Sequence, residues 1–389
     1  MKLVPLSYNL RSLVVRRGPT ALTILGIAAT VATVAGVLAL QQGFRTLYAE
    51  NGRADLAVIL RPGATSEGVS SFPREGATRI AKSTPEFALD DAGAPLASLE
   101  CFLAVRRFRV DGGETNVPLR GVQPQTFDLR GEELRISEGR NFEPGTDEVI
   151  VGRSITDRIR NCRVGDVLTI NVTPFKVVGV FECDGPFESE IWGDFDRMLS
   201  ALDRFGPNRV LARLEPGVDV AALDERLRAS PETAAAAQTE RDYLTSQTEV
   251  LSAILVFLGG FLGLVMGIAA VFTATNTMLS AIAARTHEIG ILLSTGFRPV
   301  AIFLSFLFEA VLLGLLGGAI GALLVLPLNG IQTGTTNFQT FTEVAFGFRI
   351  TPSVIVTAIV FSLVLGVLGG TLPAWRAARM TPTEALRRQ

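Results

Sequence analysis

Long uncharged apolar runs alternate with charge-rich stretches along this chain, and that alternation organises it. A bilayer core about 30 Å thick takes about 20 residues of helix, with every backbone N–H and C=O satisfied internally. Four runs meet this requirement, at 20–42, 250–278, 299–328 and 352–372, and the only ionisable residue in them is Glu309. Pro299 and Pro352 stand at span starts, where proline removes no helix hydrogen bond. The first run exceeds the roughly 7–15 apolar residues of a cleaved signal, and no small-x-small site follows it, so it reads as a retained span.

Between the first two runs, residues 43–249 carry mixed α and β patterns. Phe102–Val110 and Thr115–Val122 flank Asp111-Gly112-Gly113, a hairpin turn that supplies positive φ. Val167–Val172 and Phe175–Phe181 predict a second hairpin, and Arg209–Leu214 a further strand. Gly152–Arg160 and Val218–Ala229 have helical spacing. From about Thr233 the chain reads as helix through Tyr243 into the second span. The predicted fold class is an α-helical integral membrane protein of four transmembrane helices, with a mixed α+β extracytoplasmic domain inserted between helices 1 and 2.

The composition agrees with two solvents: of 389 residues 48% are hydrophobic and 19% charged, and the mean hydropathy is positive. Lys2, Arg11, Arg16, Arg17, Arg285, Arg298, Arg376, Arg379, Arg387 and Arg388 crowd the short flanks of the spans, which places those flanks on the cytoplasmic side. Residues 41–249 hold 34 acidic against 25 basic residues and fall outside. The expected layout is 1–19 and 373–389 inside, 43–249 as the outer domain, 279–298 as an inner connector and 329–351 as an outer loop.

No enzyme is legible. GxxxxGK[ST] is absent, the only lysines are Lys2, Lys82 and Lys176, and the single histidine, His287, excludes HExxH and other multi-histidine sites. No metal, cofactor or nucleic-acid partner is expected of this chain. The cysteines, Cys101, Cys162 and Cys183, all lie in the outer domain, where a Cys162–Cys183 disulfide and three unpaired thiols are both open.

Glycines at i, i+4 spacing mark the spans: Gly259/Gly263/Gly267, Gly314/Gly318, Gly317/Gly321 and Gly366/Gly370. Such positions let helix backbones approach closely, within one chain or across a dimer seam. Glu309 is costly in lipid, so it is expected to face a polar partner as an anchor rather than to handle protons. The connector, NTMLSAIAARTHEIGILLSTGFR from Asn276 to Arg298, reads as a surface helix. In it Ile282, Ile289 and Leu293 share a face and Arg285 and Glu288 are spaced to pair. A coupling element and a simple lipid-covering connector fit it equally.

That connector resembles the ER-x-x-EIG-x-x-x-x-x-G signature of the MacB/FtsX/LolC-E family of ABC transporter permeases, the type VII or mechanotransmission class. Arg285, Glu288, Ile289, Gly290 and Gly296 occupy signature positions, while Ala284 and His287 replace the usual Glu and Arg. FEAVLLGLLGGAIG, with Glu309, resembles the start of the family's third span. LPAWRAARMTPTEALRR is similar to its C-terminal motif, through Pro373, Ala374, Ala377, Pro382, Ala385, Leu386 and Arg387. PLRGVQP and the stretch from EGRNFEPG to FKVVGV resemble its periplasmic core domain.

The resemblance implies a permease subunit that exports or extracts a substrate at the outer side of the membrane. It implies a separate ABC ATPase dimer that binds ATP and Mg and docks on Ala281–Gly296. It further implies a second permease copy or a paralogue, a periplasmic adaptor or substrate carrier, and the cell inner membrane with both termini cytoplasmic. The rival readings are an FtsX-like activator of an extracytoplasmic cell-wall hydrolase, and a membrane-anchored sensor without an ATPase.

Overall fold

The computed structural model describes residues 17–231, 234–336 and 342–381. In chain order its elements are α1 (Arg17–Arg45), extended by a π turn (Thr46–Glu50), β1 (Leu56–Leu60), α2 (Arg74–Ser83), β2 (Ala97–Phe108), β3 (Glu114–Val122) and α3 (Gln125–Arg130). Next come β4 (Leu134–Gly139), β5 (Glu148–Gly152), α4 (Arg153–Thr156), β6 (Val167–Ile170), β7 (Thr173–Cys183), β8 (Ile191–Asp194), α5 (Phe195–Ala201) and β9 (Arg209–Arg213). Then follow α6 (Val220–Ala229), β10 (Ala236–Thr239), α7 (Glu240–Ala283), α8 (Thr286–Ser294), α9 (Pro299–Val325), β11 (Gln332–Thr336), β12 (Glu343–Gly347) and α10 (Pro352–Ala378). The chain divides into two units, one of 1–43, 253–331 and 348–389, the other of 44–252 and 332–347.

The first unit is a bundle to which α1, α7, α9 and α10 contribute, the four helices among the described residues that are long and apolar enough to cross a membrane. Glycine sets its closest contacts, because lipid offers no hydrophobic drive between helices and dispersion grows as backbones approach. A Cβ on Gly314 would stand 2.7 Å from the Ser362 carbonyl oxygen, and one on Gly366 would stand 2.8 Å from that of Ala310. Thus α9 and α10 meet backbone to backbone, with Gly318 against Ser362 and Gly370 against Ala310. Gly317 and Gly321 turn to Ile27, Ala28 and Val31 of α1, whereas Gly259 and Gly263 face Val37 and Val34, and Gly267 faces Leu365 and Phe361. Every glycine pair named from the sequence therefore packs within one chain.

Pro373, expected just past the fourth span, lies inside α10, which runs on to Ala378. A proline there leaves the carbonyl four residues back without its helical donor. That carbonyl is Gly369 O, and the Thr275 hydroxyl of α7 donates to it at 2.9 Å. A neighbouring helix thus satisfies the backbone where the chain itself cannot.

The second unit is built on a ten-stranded sheet in the order β10-β1-β9-β2-β3-β8-β5-β7-β4, with β6 paired to β7. The β3/β8 and β5/β7 pairs are parallel and the others antiparallel. Strand β2 spans the sheet, pairing through Ala97–Glu100 with β9 and through Cys101–Phe108 with β3. Helices α2, α5 and α6 contribute Ile80, Phe195, Met198, Leu223 and Leu227 to the core. Both predicted hairpins form, and the first turns at Gly112 with φ 97°.

Several expectations change. Gly152–Arg160 holds only the single turn α4, because Arg158 O accepts from Val110 N–H and Arg160 N–H donates to Phe108 O, which draws those residues into pairing beside β2. The stretch after Thr233 holds β10 before any helix: Ala236–Thr239 pairs with β1, and α7 starts at Glu240. Within 329–351, expected as a loop, β11 and β12 pair antiparallel and group with the sheet unit.

The Cys162–Cys183 disulfide is not formed. All three cysteines are free and buried in separate surroundings: Cys101 against Gly121, Cys162 beside Arg107 and Cys183 beside Arg130. Burial pushes each thiol up to about 12. Neutral, enclosed thiols are poor nucleophiles. The folded protein is expected to react slowly with Ellman's reagent, releasing three equivalents only on denaturation, and to migrate alike with and without reductant. In detergent, Gly366→Leu should lower the thermal midpoint by several degrees, whereas Gly260→Leu, at an open position, should leave it unchanged.

Candidate functional site

The connector between the second and third long helices is not one surface helix. Helix α7 runs to Ala283, Arg285 leaves helical geometry at φ −117°, ψ 13°, and α8 begins at Thr286. The Thr286 hydroxyl donates toward Ile282 O at 3.2 Å and Ala283 O at 2.9 Å, and Ile282 O also accepts from Arg285 N–H at 3.0 Å, so carbonyls at the break are served by the residues just beyond it. The far end closes at Gly296, φ +91°, where Phe297 N–H donates to Leu292 O and Gly296 N–H to Leu293 O. That pair of bonds is a Schellman cap, which favours glycine because φ is positive.

Arg285 explains why the break is held. It is buried, and its guanidinium lies 3.5 Å from the Glu309 carboxylate of α9, itself buried. Glu309, the one acid in the apolar runs, thus has a cationic neighbour in the signature segment, and removing either partner would leave the other charge buried alone. Ile282 and Ile289 are buried with Met278, Ile302, Phe306 and Ala374, and Leu293 packs on this cluster. Gly290 is buried, while His287, Glu288 and Ile291 are exposed. Helix α8 is therefore pinned on one side and presents an acid, an imidazole and an apolar residue on the other. Pro373, Ala374 and Ala377 of the C-terminal motif are buried in α10, and Pro382, Ala385, Leu386 and Arg387 lie outside the described residues.

The sheet unit contains a second polar constellation that the sequence did not announce. Arg120 on β3 donates to Glu190 through Nε at 2.6 Å and Nη2 at 2.8 Å, and through Nη1 to Glu67 at 2.5 Å and Glu100 at 3.1 Å. Arg209 on β9 donates to Glu100 at 2.8 Å and Glu67 at 2.7 Å. Arg130 on α3 donates to Glu240, the first residue of α7, at 3.0 Å. The Phe187 ring lies 4.1 Å from the Arg130 guanidinium and 5.5 Å from that of Arg120. All seven charged side chains are buried.

The titration behaviour follows from this pairing. Burial alone would raise the Glu100 carboxyl, but Arg209 and Arg120 outweigh it and hold the group below its ordinary range. Burial opposes the charge on Arg120, and Glu190 and Glu67 overcome it and raise that group well above normal. Burial, together with Glu67, raises the Tyr243 hydroxyl, which accepts from Glu67 N–H at 3.2 Å. Glu240 and Tyr243 thus build the first turn of α7 into the sheet unit. Partners up to 142 residues apart leave no local pattern; the only sequence signal was an arginine inside the apolar strand runs of PLRGV and NRVLA.

A separate cleft of about 780 Å³ in the same unit is lined by acids, including Glu132, Glu133, Glu182, Asp184 and Glu188. Burial raises the Glu133 and Glu188 carboxyls. Among the described residues no group of three or more His, Cys, Asp or Glu side chains is arranged to hold a metal ion.

Removing one partner of a buried pair strands the other. Arg130→Met is expected to destabilise the sheet unit by about 3–5 kcal/mol in urea titrations followed by tryptophan fluorescence, and Glu240→Leu added to it should recover most of the loss. Because the Glu100 value is depressed in the folded state, its contribution is full above the unfolded value and lost as pH falls through the folded one. The urea midpoint should therefore drop below about pH 4.

Residues 20–230 match the family model of the MacB-like periplasmic core domain, and residues 251–382 match that of the FtsX-like permease C-terminal region. Among curated relatives, the macrolide export ATP-binding/permease protein MacB of Chromobacterium violaceum is 27% identical over 95% of this chain and 58% of its own length. The pyoverdine export ATP-binding/permease protein PvdT of Pseudomonas fluorescens is 28% identical over 96% of this chain and 57% of its own. The chain thus spans less than three fifths of these relatives. The crystal structure of the periplasmic region of MacB from Actinobacillus actinomycetemcomitans aligns with 50% of this chain and 92% of that one, at 13% identity and a TM-score of 0.37. With one model covering the first span and most of the sheet unit and the other the spans that follow, the chain belongs to the MacB/FtsX-like family of ABC transporter permeases.

Proposed function

We propose that this chain is the membrane subunit of an ABC exporter, that ATP is bound and hydrolysed on a partner ATPase dimer, and that the sheet unit acts on a substrate outside the membrane. One observation carries the reading: α8 is fixed from within by the Arg285–Glu309 pair and by Ile282 and Ile289, while His287, Glu288 and Ile291 face outward. A short helix gripped between two spans can turn a push on its outer face into a tilt of both, as shear and hinge motions do in other switches.

In this reading Arg285, Ile289, Gly290 and Gly296 shape the docking element and Glu288 contacts the ATPase. Both termini and α8 face the cytoplasm, following the basic flanks, and the sheet unit faces the periplasm across the inner membrane. A second copy of the chain or a paralogue completes the complex, and a periplasmic adaptor or carrier protein meets the outer domain. The relatives named for macrolide and pyoverdine export support export as the activity.

The test is ATP hydrolysis by the ATPase that co-purifies with the chain in nanodiscs. Glu288→Lys is expected to leave membrane insertion intact and to abolish the stimulation of hydrolysis by the permease; unchanged stimulation would refute the docking role. Glu309→Gln is expected to lower the yield of assembled complex, since it removes the charge opposite Arg285, rather than only to slow turnover.

A further inference from the structure

Strands β11 and β12, between α9 and α10, belong by their packing to the sheet unit, although both helices that flank them belong to the bundle. Thr342, Glu343, Val344, Ala345 and Phe346 are all buried. The Ala345 N–H donates to Ser189 Oγ at 3.3 Å, and the Phe346 ring meets Phe44 edge-on at 5.3 Å between centroids.

Charged contacts tie the hairpin to the rest of the sheet unit. The Glu343 carboxylate is hydrogen-bonded to the Arg158 guanidinium and lies 3.6 Å from that of Arg109. Arg158 sits just after α4, in the residues that pair beside β2, and Arg109 ends the β2 side of the same hairpin turn. Across the β11–β12 ladder Gly334 faces Ala345, and a Cβ on Gly334 would stand 2.8 Å from Glu343 Oε1 and collide with Arg158. The glycine opens the space through which the two charges reach each other. Two basic residues, one acid and one glycine, from segments more than 180 residues apart, form a lock that helix packing does not require.

We propose that Glu343, gripped by Arg158 and Arg109, is a positioning residue that latches the β11–β12 hairpin to the sheet unit, making the α9–α10 connection a second tether through which span movement reaches that unit, besides α7. The transmission role rests on the transporter reading above; the latch stands on geometry alone. Glu343 is buried while Arg158 and Arg109 are partly exposed, and ion pairs with an exposed partner are modest in strength.

The experiment uses the full chain with its co-purified ATPase in nanodiscs and reads two quantities, hydrogen exchange of peptides covering 342–347 and permease-stimulated ATP hydrolysis. Glu343→Ala is expected to speed exchange at Val344–Phe346 about tenfold and to lower stimulation several-fold. Glu343→Asp should restore most of both, and Gly334→Val, which crowds Arg158 and the Glu343 carboxylate without removing either charge, should reproduce the loss. Arg158→Gln serves where Glu343→Ala does not accumulate. Exchange unchanged in the alanine, valine and glutamine variants overturns the latch. Faster exchange with unaltered stimulation overturns the tether while leaving the transporter reading intact. Absence of any stimulation by the wild-type chain sinks that reading and the tether with it, and exchange still decides the latch.

Discussion

Withdrawing a guanidinium or carboxylate from water costs several kcal/mol per ion, and only an opposite charge with good hydrogen-bond geometry offsets it. That constraint runs through this molecule. In the sheet unit, Arg120 and Arg209 share Glu67 and Glu100, so strands β2, β3 and β9 and the Glu67 turn cannot separate without stranding a charge. Arg130 applies the same condition to α7 through Glu240. In the bundle, the Arg285 guanidinium at the α7–α8 break lies 3.5 Å from the Glu309 carboxylate of α9, so neither charge is buried without an opposite one beside it. Apolar packing alone would leave these elements freer to slide, since dispersion contacts have no fixed partner and ion pairs do.

The chain enters and leaves the sheet unit at neighbouring points. Arg241 N–H donates to Arg53 O at 3.1 Å, Arg241 Nε donates to Gly52 O at 3.2 Å, and a Cβ on Gly52 would stand 2.6 Å from the Arg241 Cα. Only glycine allows so close an approach. The segment after α1 and the start of α7 are thereby joined by hydrogen bonds, to which the Arg53 N–H adds one to the Glu240 carboxylate at 3.4 Å.

Family membership and geometry bear on different questions. The two family models cover the sheet unit and the later spans. They leave open how α8 is held, which the Arg285–Glu309 pair explains, and how Pro373 is tolerated within a helix, which the Thr275 hydroxyl explains.

Some of this architecture was legible from residue order alone, because its causes are local. Span number followed from apolar length, the hairpin turns from Asp111-Gly112-Gly113 and the run around Thr173-Pro174, and the signature segment from Arg285, Glu288 and Gly296 close together in sequence. What depended on distant partners was not legible. Thr233–Thr239 had helical composition, yet Ala236–Thr239 became a strand because β1 offered an unpaired edge. Cys162 and Cys183 were plausible partners by compartment, but the fold buries them in separate surroundings. Glu67, Glu100, Glu190 and Glu240 carry no local mark in the sequence, and tertiary structure alone made them buried counterions. The sequence by itself determined where the chain meets lipid and where it meets water, because transfer free energy sums along a run of residues. Only the fold decided which charges meet, because a Coulomb contact depends on proximity in space and not on position in the chain.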